Sequence, residues 1–311
     1  MKAYVKIVAM DIRVVFMGSP DFALPTLKAL TQSFHVVGVV TQPDRPAGRG
    51  RKLQPPAVKT SARELGLRII QPPSLKNPEA IAQLDDMSPD VIVVAAFGQI
   101  LRENVLTLPQ YGCLNVHASL LPRWRGAAPV QAAVLHDDVT GVTIMKMDKG
   151  LDTGPILSQK SIIIQDNMTA GVVFEHLACM GADLIVETLP KYVSGEIQPQ
   201  PQNEADATYA PSLRKNDGKL DFDRPAVFLA RQVRAFHPWP GSFQFYNGHR
   251  LKVLRAHADE KSDTTPGFRY IIEEKPAWGT VDGLLVLDEV QPAGKGPMLG
   301  EDFIRGAQNW A

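Results

Sequence analysis

The sequence predicts an α/β protein in two parts: a mostly parallel sheet covered by helices on both faces, then a smaller β-rich domain, a small barrel or sandwich. Three observations carry this. Apolar runs that are continuous and not alternating, above all Val91 to Ala96, recur between helix-like stretches, as in a sheet buried on both sides. Polar, proline-bearing text from Gly195 to Gln202 then breaks the pattern, as a linker does. Beyond it, short β-rich pieces alternate with Gly, Pro and Asp turns.

Each element follows in order. Ile12 to Met17 reads as a strand closed by Gly18, and Ser19-Pro20-Asp21 offers cap and first-turn chemistry for a helix through Leu30. His35 to Thr41 is a second strand, Ala57 to Leu65 a helix, and Leu67 to Ile70 short and extended. After Val91 to Ala96 come a strand at Gly112 to His117, a helix at Pro129 to His136, a strand at Val142 to Met147 and a long helix at Ala170 to Val193. The second part places strands at Ser242 to Tyr246, Leu251 to Ala256, Gly279 to Val281 and Leu284 to Val290. The expected organisation is an extension at 1–9, a Rossmann-like domain at 10–194, a linker at 195–216 and a mostly β domain at 217–311, a small barrel or sandwich by its residues.

Composition narrows the function classes. Lys plus Arg and Asp plus Glu both total 33, so no global field marks a general nucleic-acid binder, and any polyanion must be held locally. From Lys215 onward the basic and acidic residues also balance. Two cysteines, Cys113 and Cys179, are too few for a disulfide framework or a Cys-rich zinc site, which fits a reducing, cytoplasmic setting. The longest apolar stretch, Val91 to Leu101, falls well short of the ~20 residues that span a bilayer, so no membrane anchor is expected.

Several motifs carry chemistry or exclude it. Gly18-Ser19-Pro20-Asp21 lacks the later glycines of a dinucleotide fingerprint, and there is no Gly-Lys-Ser/Thr phosphate loop, which argues against nicotinamide or ATP. Asn115 and His117, two apart at a strand end, point to one side, at the sheet edge where ligands bind. Asn supplies an uncharged donor and His a group titrating near neutrality, so the pair can hold an oxyanion and manage a proton. The following loop, Ser119 to Pro129, flanks Trp124 with Arg123 and Arg125, a place for an anionic or aromatic ligand. Ser119 lacks the Gly-x-Ser-x-Gly elbow of a serine nucleophile. Asp148 and Asp152 lie in a glycine-bounded turn, and no His-Glu-x-x-His pair or calcium-loop spacing implies a metal.

Together, Asn115-Val116-His117, Ser119-Leu120-Leu121-Pro122 and Leu151-Asp152-Thr153-Gly154 resemble the active-site signature of the folate-dependent formyltransferases. The likeness is to the branch whose acceptor is a tRNA. It extends over nearly the whole chain from Asp11, carried by Phe16 to Phe22, Gln42 to Gly50, the Trp124 loop, His237-Pro238-Trp239-Pro240 and Gln291 to Lys295. The resemblance implies transfer of formyl from 10-formyltetrahydrofolate to the amino group of methionyl initiator tRNA, with Asn115, His117 and Asp152 catalytic and no metal. It implies a pterin site at Phe97, Gly98, Gln99, Ile100, Leu101, Asp148 and Leu151, shaped by Ser119, Leu120, Leu121 and Pro122. It also implies an OB-like barrel for the second domain and a basic acceptor loop at Arg45, Arg49, Arg51 and Lys52, and Arg231 with Arg234 form a candidate positive face on that domain. A monomer without an obligate protein partner is expected. A sugar-nucleotide formyltransferase or a formyltetrahydrofolate hydrolase would share the three central residues, and an RNA-binding module with an inactive enzyme-like domain would be free to lose them.

Overall fold

The computed structural model describes residues 11–47, 52–260, 263–307 and 310. The expected extension at 1–9 lies outside them. The elements are β1 (Arg13–Gly18), α1 (Ala23–Ser33), β2 (His35–Val40), β3 (Arg45–Ala47), β4 (Lys52–Gln54), α2 (Ala57–Glu64), β5 (Ile69–Ile70), α3 (Pro78–Asp85), β6 (Val91–Ala95) and α4 (Glu103–Leu106). They continue as β7 (Cys113–His117), β8 (Arg125–Gly126), α5 (Pro129–His136), β9 (Val139–Lys146), β10 (Ile156–Ile163), α6 (Ala170–Val193) and β11 (Tyr209–Ala210). The last are α7 (Ala226–Ala235), β12 (Ser242–Tyr246), β13 (His249–Asp259), β14 (Arg269–Ile272), β15 (Lys275–Gly279), β16 (Leu284–Pro292), β17 (Met298–Leu299) and α8 (Gly300–Gly306).

The chain packs into two compact units. One comprises residues 1–126, 141–162 and 174–209, the other 127–140, 163–173 and 210–311. A seven-stranded sheet, ordered β10-β9-β7-β6-β1-β2-β5, organises the first. β1 pairs in parallel with β2 and β6, β6 with β7, and β2 with β5, whereas β9 runs antiparallel to β7. The sheet is mostly parallel, as the unbroken apolar runs require: β6 is buried at every position.

From β1 the chain steps outward to β2 and β5, then returns to lay β6 on the other side of β1. Such a reversal opens a crevice at the carboxyl ends of the strands. The ends of β1, β6 and β7 carry Gly18, Ala95 and His117. Gly18 permits the close approach there, since a Cβ would press on the Ala95 carbonyl oxygen and the Ala23 side chain. Behind β7, Gly181 of α6 lies so near Val116 that a side chain there would overlap it, which seats the helix tightly on the strand.

Ser19 does not cap α1 as its sequence position suggests. The residue before the helix, Phe22, makes no side-chain cap bond. The Ser19 hydroxyl instead donates to the Phe97 carbonyl (3.1 Å) and accepts from the Gln42 amide (3.2 Å), lacing together the turns after β1, β2 and β6.

In the second unit the antiparallel order is β12-β13-β16-β15-β14, with β17 on β16. Register shifts between Val253 and Ala256 mark irregularities that bend β13 along its length. Its core gathers Leu229, Val233, Leu251, Val253, Trp278, Leu285, Leu287, Phe303 and Trp310. No helix among the described residues is long and apolar enough to cross a membrane.

Candidate active site

β7 sets the first two site residues. Asn115 lies opposite Val94 of β6 and Met145 of β9, and His117 opposite Thr143, so both stand on a central strand with fixed neighbours. His117 is 5% exposed and Asn115 half-buried. Among the described residues the Asn115 carboxamide has no hydrogen-bond partner, which leaves its donors for a ligand.

Both nitrogens of the His117 ring face oxygen. Nε2 is 3.2 Å from the Trp124 carbonyl, and Nδ1 is 3.7 Å from Asp152 Oδ2, an ion-pair separation longer than a hydrogen bond. A neutral imidazole has one N–H, whereas an imidazolium presents a donor to each side. A neutral imidazole that carries its proton on Nε2 donates to the Trp124 carbonyl and leaves Nδ1 toward Asp152.

Asp152 is placed by its own turn. Its backbone is left-handed (φ 53°), and Oδ2 accepts from the Gly126 amide at 2.9 Å. Asp148 caps the same turn, accepting from the Gly150 amide (3.0 Å) and the Thr153 hydroxyl (2.7 Å), so Asp148 shapes the turn while Asp152 faces the histidine. Gly154 is required there: a Cβ would run into the Lys146 carbonyl oxygen. Gly154→Ala is therefore expected to displace the Asp152 turn and lower kcat by ~10²-fold, the cost of misplacing a catalytic group by about 1 Å. Wild-type kcat in steady-state assays would refute it.

The loop after β7 is held by hydrogen bonds within itself and to Thr143 and Thr208. Ser119, fully buried, donates its hydroxyl to the Arg123 carbonyl at 2.7 Å and so is a brace, not a nucleophile. Thr143 donates to the Ser119 carbonyl (2.7 Å) and accepts from the Leu121 amide (3.0 Å), which pins Ser119 to Pro122 beside the site. Trp124 is left-handed (φ 60°), with its amide on the Thr208 hydroxyl at 2.9 Å.

The structure corrects one reading of this loop. Arg125 does not await an anionic ligand: its side chain is wholly buried and bonded to Gln202 and Glu204. Hydrogen bonding to Glu204 pushes the guanidinium still further toward its charged form, and the same bond holds the Glu204 carboxyl below its ordinary range. Arg123 stacks over the Trp124 ring at 5.0 Å.

The segment expected to face the pterin is not a strand. β6 ends at Ala95, and positive φ at Ala96 and Gly98 turns the chain sharply. Phe97 and Leu101 are buried, Gln99 braces the turn through the Leu75 amide and the Pro72 carbonyl, and Ile100 stands 87% exposed. Leu151 is also largely exposed.

Arg45 and Lys52, both exposed, pair across the β3–β4 hairpin in the rungs Arg45 to Gln54 and Ala47 to Lys52. Arg49 and Arg51 lie outside the described residues. Asp44 anchors the base of the hairpin, with Lys59 Nζ at 2.7 Å and Gln71 Nε2 at 2.8 Å. Gln71 and Lys59 hold its carboxyl below the usual range.

Arg231 and Arg234, by contrast, are spent within the second unit. Arg231 bonds Asp138 and the Asp137 carbonyl, and Arg234 reaches Asp166 and the carbonyls of Gln165 and Met168. They fasten α7 to the segments at 127–140 and 163–173, so they are withdrawn as free phosphate contacts.

A buried His-Asp pair beside an Asn that has no partner among the described residues, at the carboxyl edge of a mostly parallel sheet, suits acyl-type transfer to an amine. Known proteins agree with that chemistry. The formyl transferase profile matches residues 11–189, and the formyl transferase C-terminal domain profile residues 212–308. The chain belongs to the formyl transferase family. Among curated formyl transferases, the methionyl-tRNA formyltransferase of Roseiflexus sp. (strain RS-1) is 46% identical over 302 residues, 96% of this chain and 93% of that protein. The methionyl-tRNA formyltransferase of Myxococcus xanthus (strain DK1622) is 46% identical over 298 residues, covering 94% and 95%. An N-formyltransferase from Helicobacter canadensis, solved with folinic acid and dTDP-3-aminofucose, superimposes with a TM-score of 0.67 at 18% identity, covering 90% of this chain and 99% of that one. At that identity the match speaks for a formyl transferase fold alone.

Proposed function

We propose that this formyl transferase moves the formyl group of 10-formyltetrahydrofolate onto the free amino group of methionyl initiator tRNA. The carrying observation is the 46% identity to a methionyl-tRNA formyltransferase across 96% of the chain, which includes both family domains. The likeness in shape to a sugar N-formyltransferase is fold-level only and does not favour a sugar acceptor.

The amine lone pair adds to the formyl carbon, and the carbonyl electron pair moves onto oxygen. Asn115, with no partner among the described residues, donates to that oxygen. Asp152 compensates positive charge on His117, which holds the proton that the amine sheds until the folate nitrogen takes it as the carbon–nitrogen bond to the carrier breaks. The exposed aliphatic side chains of Ile100 and Leu151 suit the face of a flat ring, and the turn at Ala96 to Gly98 offers main-chain groups to its edge. Both fit a pterin.

Arg45 and Lys52 on the β3–β4 hairpin, with Arg49 and Arg51 in the same segment, supply local positive charge to a chain that has none overall. Phosphates of the acceptor stem are their proposed targets, and the second unit supports the tRNA through groups other than Arg231 and Arg234. The decisive assay offers charged initiator tRNA, an amino-sugar nucleotide and water as competing acceptors for the same donor; formyl recovered on the sugar would sink the tRNA reading. In that assay Arg45→Ala with Lys52→Ala is expected to raise the KM for tRNA and to flatten its dependence on salt. The log–log salt slope should fall by about one unit per lost phosphate contact. An unchanged slope would remove the hairpin from the acceptor site.

A further inference from the structure

Gln202 and Glu204 lie in polar, proline-bearing text, yet they reach the centre of the site. Arg125 is the hub. Its Nε (3.1 Å) and Nη2 (2.8 Å) donate to Gln202 Oε1, while Nη1 (2.9 Å) and Nη2 (2.8 Å) donate to the two oxygens of Glu204. Gln202 is thereby fixed with its amide nitrogen forward. That Nε2 donates to the main-chain oxygens of Asp152 (2.8 Å) and Gly154 (2.7 Å).

Asp152 is itself the left-handed residue whose carboxylate is aimed at His117, and Gly154 lies two residues on in the same turn. A left-handed aspartate costs energy in the free chain and persists where its surroundings over-determine it. The same segment fixes the other side of the histidine. Thr208 takes the Trp124 amide on its hydroxyl and the Arg125 amide on its carbonyl, and so places the Trp124 oxygen facing Nε2. Both oxygens that flank the His117 ring are therefore positioned from residues 202–208.

We propose that Gln202, oriented by Arg125 and Glu204, is a positioning residue for the transfer reaction, holding Asp152 where it can balance the charge on His117. This rests on the formyl-transfer reading above. Gln202 touches no reacting atom and acts through the Asp152 turn, so its contribution vanishes when Asp152 can no longer carry charge. The network also gives the segment after α6 a catalytic purpose that its composition hides.

The test uses the full-length protein with 10-formyltetrahydrofolate and methionyl initiator tRNA. Gln202→Glu is nearly isosteric and keeps an acceptor for Arg125, but sets a carboxylate oxygen against the Asp152 and Gly154 carbonyls. Gln202→Leu removes the donor without adding charge and serves if the first variant folds poorly. The expected result is a fall in kcat of ~10- to 10²-fold with both KM values within about twofold of wild type, and an altered acid limb of the kcat–pH profile. In an Asp152→Asn background the same substitution is expected to change kcat by less than about twofold, because both act on one interaction.

Wild-type kcat in both Gln202 variants, or losses that multiply with Asp152→Asn, would overturn the proposal. So would a loss confined to KM. A wild-type enzyme that transfers no formyl to this acceptor would instead overturn the underlying reading.

Discussion

His117→Ala is expected to lower kcat by ~10²- to 10⁴-fold while the sheet stays intact, the range for removing a positioned acid or base. The residue is 5% exposed with Asp152 on one side and the Trp124 carbonyl on the other, so truncation removes the group proposed to link the amine's proton to a compensating charge. Asn115→Ala is expected to cost ~10²- to 10³-fold, as loss of an oxyanion donor does. Donor affinity should change little in either case, since the segments proposed to face the pterin, Phe97 to Leu101 and Asp148 to Leu151, bond through other groups. Single-turnover rates, with donor affinity measured separately, would check this. A His117→Ala enzyme with normal single-turnover rate would leave the proposed proton path without a carrier.

The placement of these two residues was legible from sequence for a physical reason. Alternation along a strand places Asn115 and His117 on one side, and the strand ends at the sheet edge where ligands collect. The long helix was legible too: α6 spans Ala170–Val193, as its length and apolar content predict. Partners distant in sequence were not. Arg125 bonds Gln202 and Glu204 across 77 and 79 residues, and nothing local in Gln-Pro-Gln-Asn-Glu distinguishes a docked strap from a linker.

Arg231 and Arg234 failed similarly, since a charge cluster reads as solvent-facing until Asp138, 93 residues away, is seen beside it. There a signal was available. Ala226, Leu229 and Val233 are buried at helical spacing in α7, which would have placed the arginines on a packed helix. β10 escaped because it is an edge strand, mostly exposed over Gln159 to Ser161, so its pattern is neither continuous nor alternating.

Trp310→Ala is expected to destabilise the second unit by about 3–5 kcal/mol, the usual cost of emptying a buried tryptophan site. Trp310 is 2% exposed, with its ring centroid 5.0 Å from Trp278, 5.3 Å from Tyr246 and 5.5 Å from Phe303. Its indole N–H also donates to the Tyr270 carbonyl at 2.8 Å, so one side chain ties α8 and the strands β12, β14 and β15 into a single core. Loss of the ring leaves a cavity between residues that secondary structure already fixes, and such a site collapses poorly. Trp310→Phe keeps much of the packing and drops the hydrogen bond, for a cost nearer ~1 kcal/mol for that bond. Denaturant unfolding followed by fluorescence should rank wild type, Trp310→Phe and Trp310→Ala in that order. The residues proposed as catalytic all lie in the other unit, so donor binding to Trp310→Ala at low temperature is expected to match wild type while its use of tRNA falls. Equal stability of wild type and Trp310→Ala would mean that this aromatic cluster does not hold the second unit together.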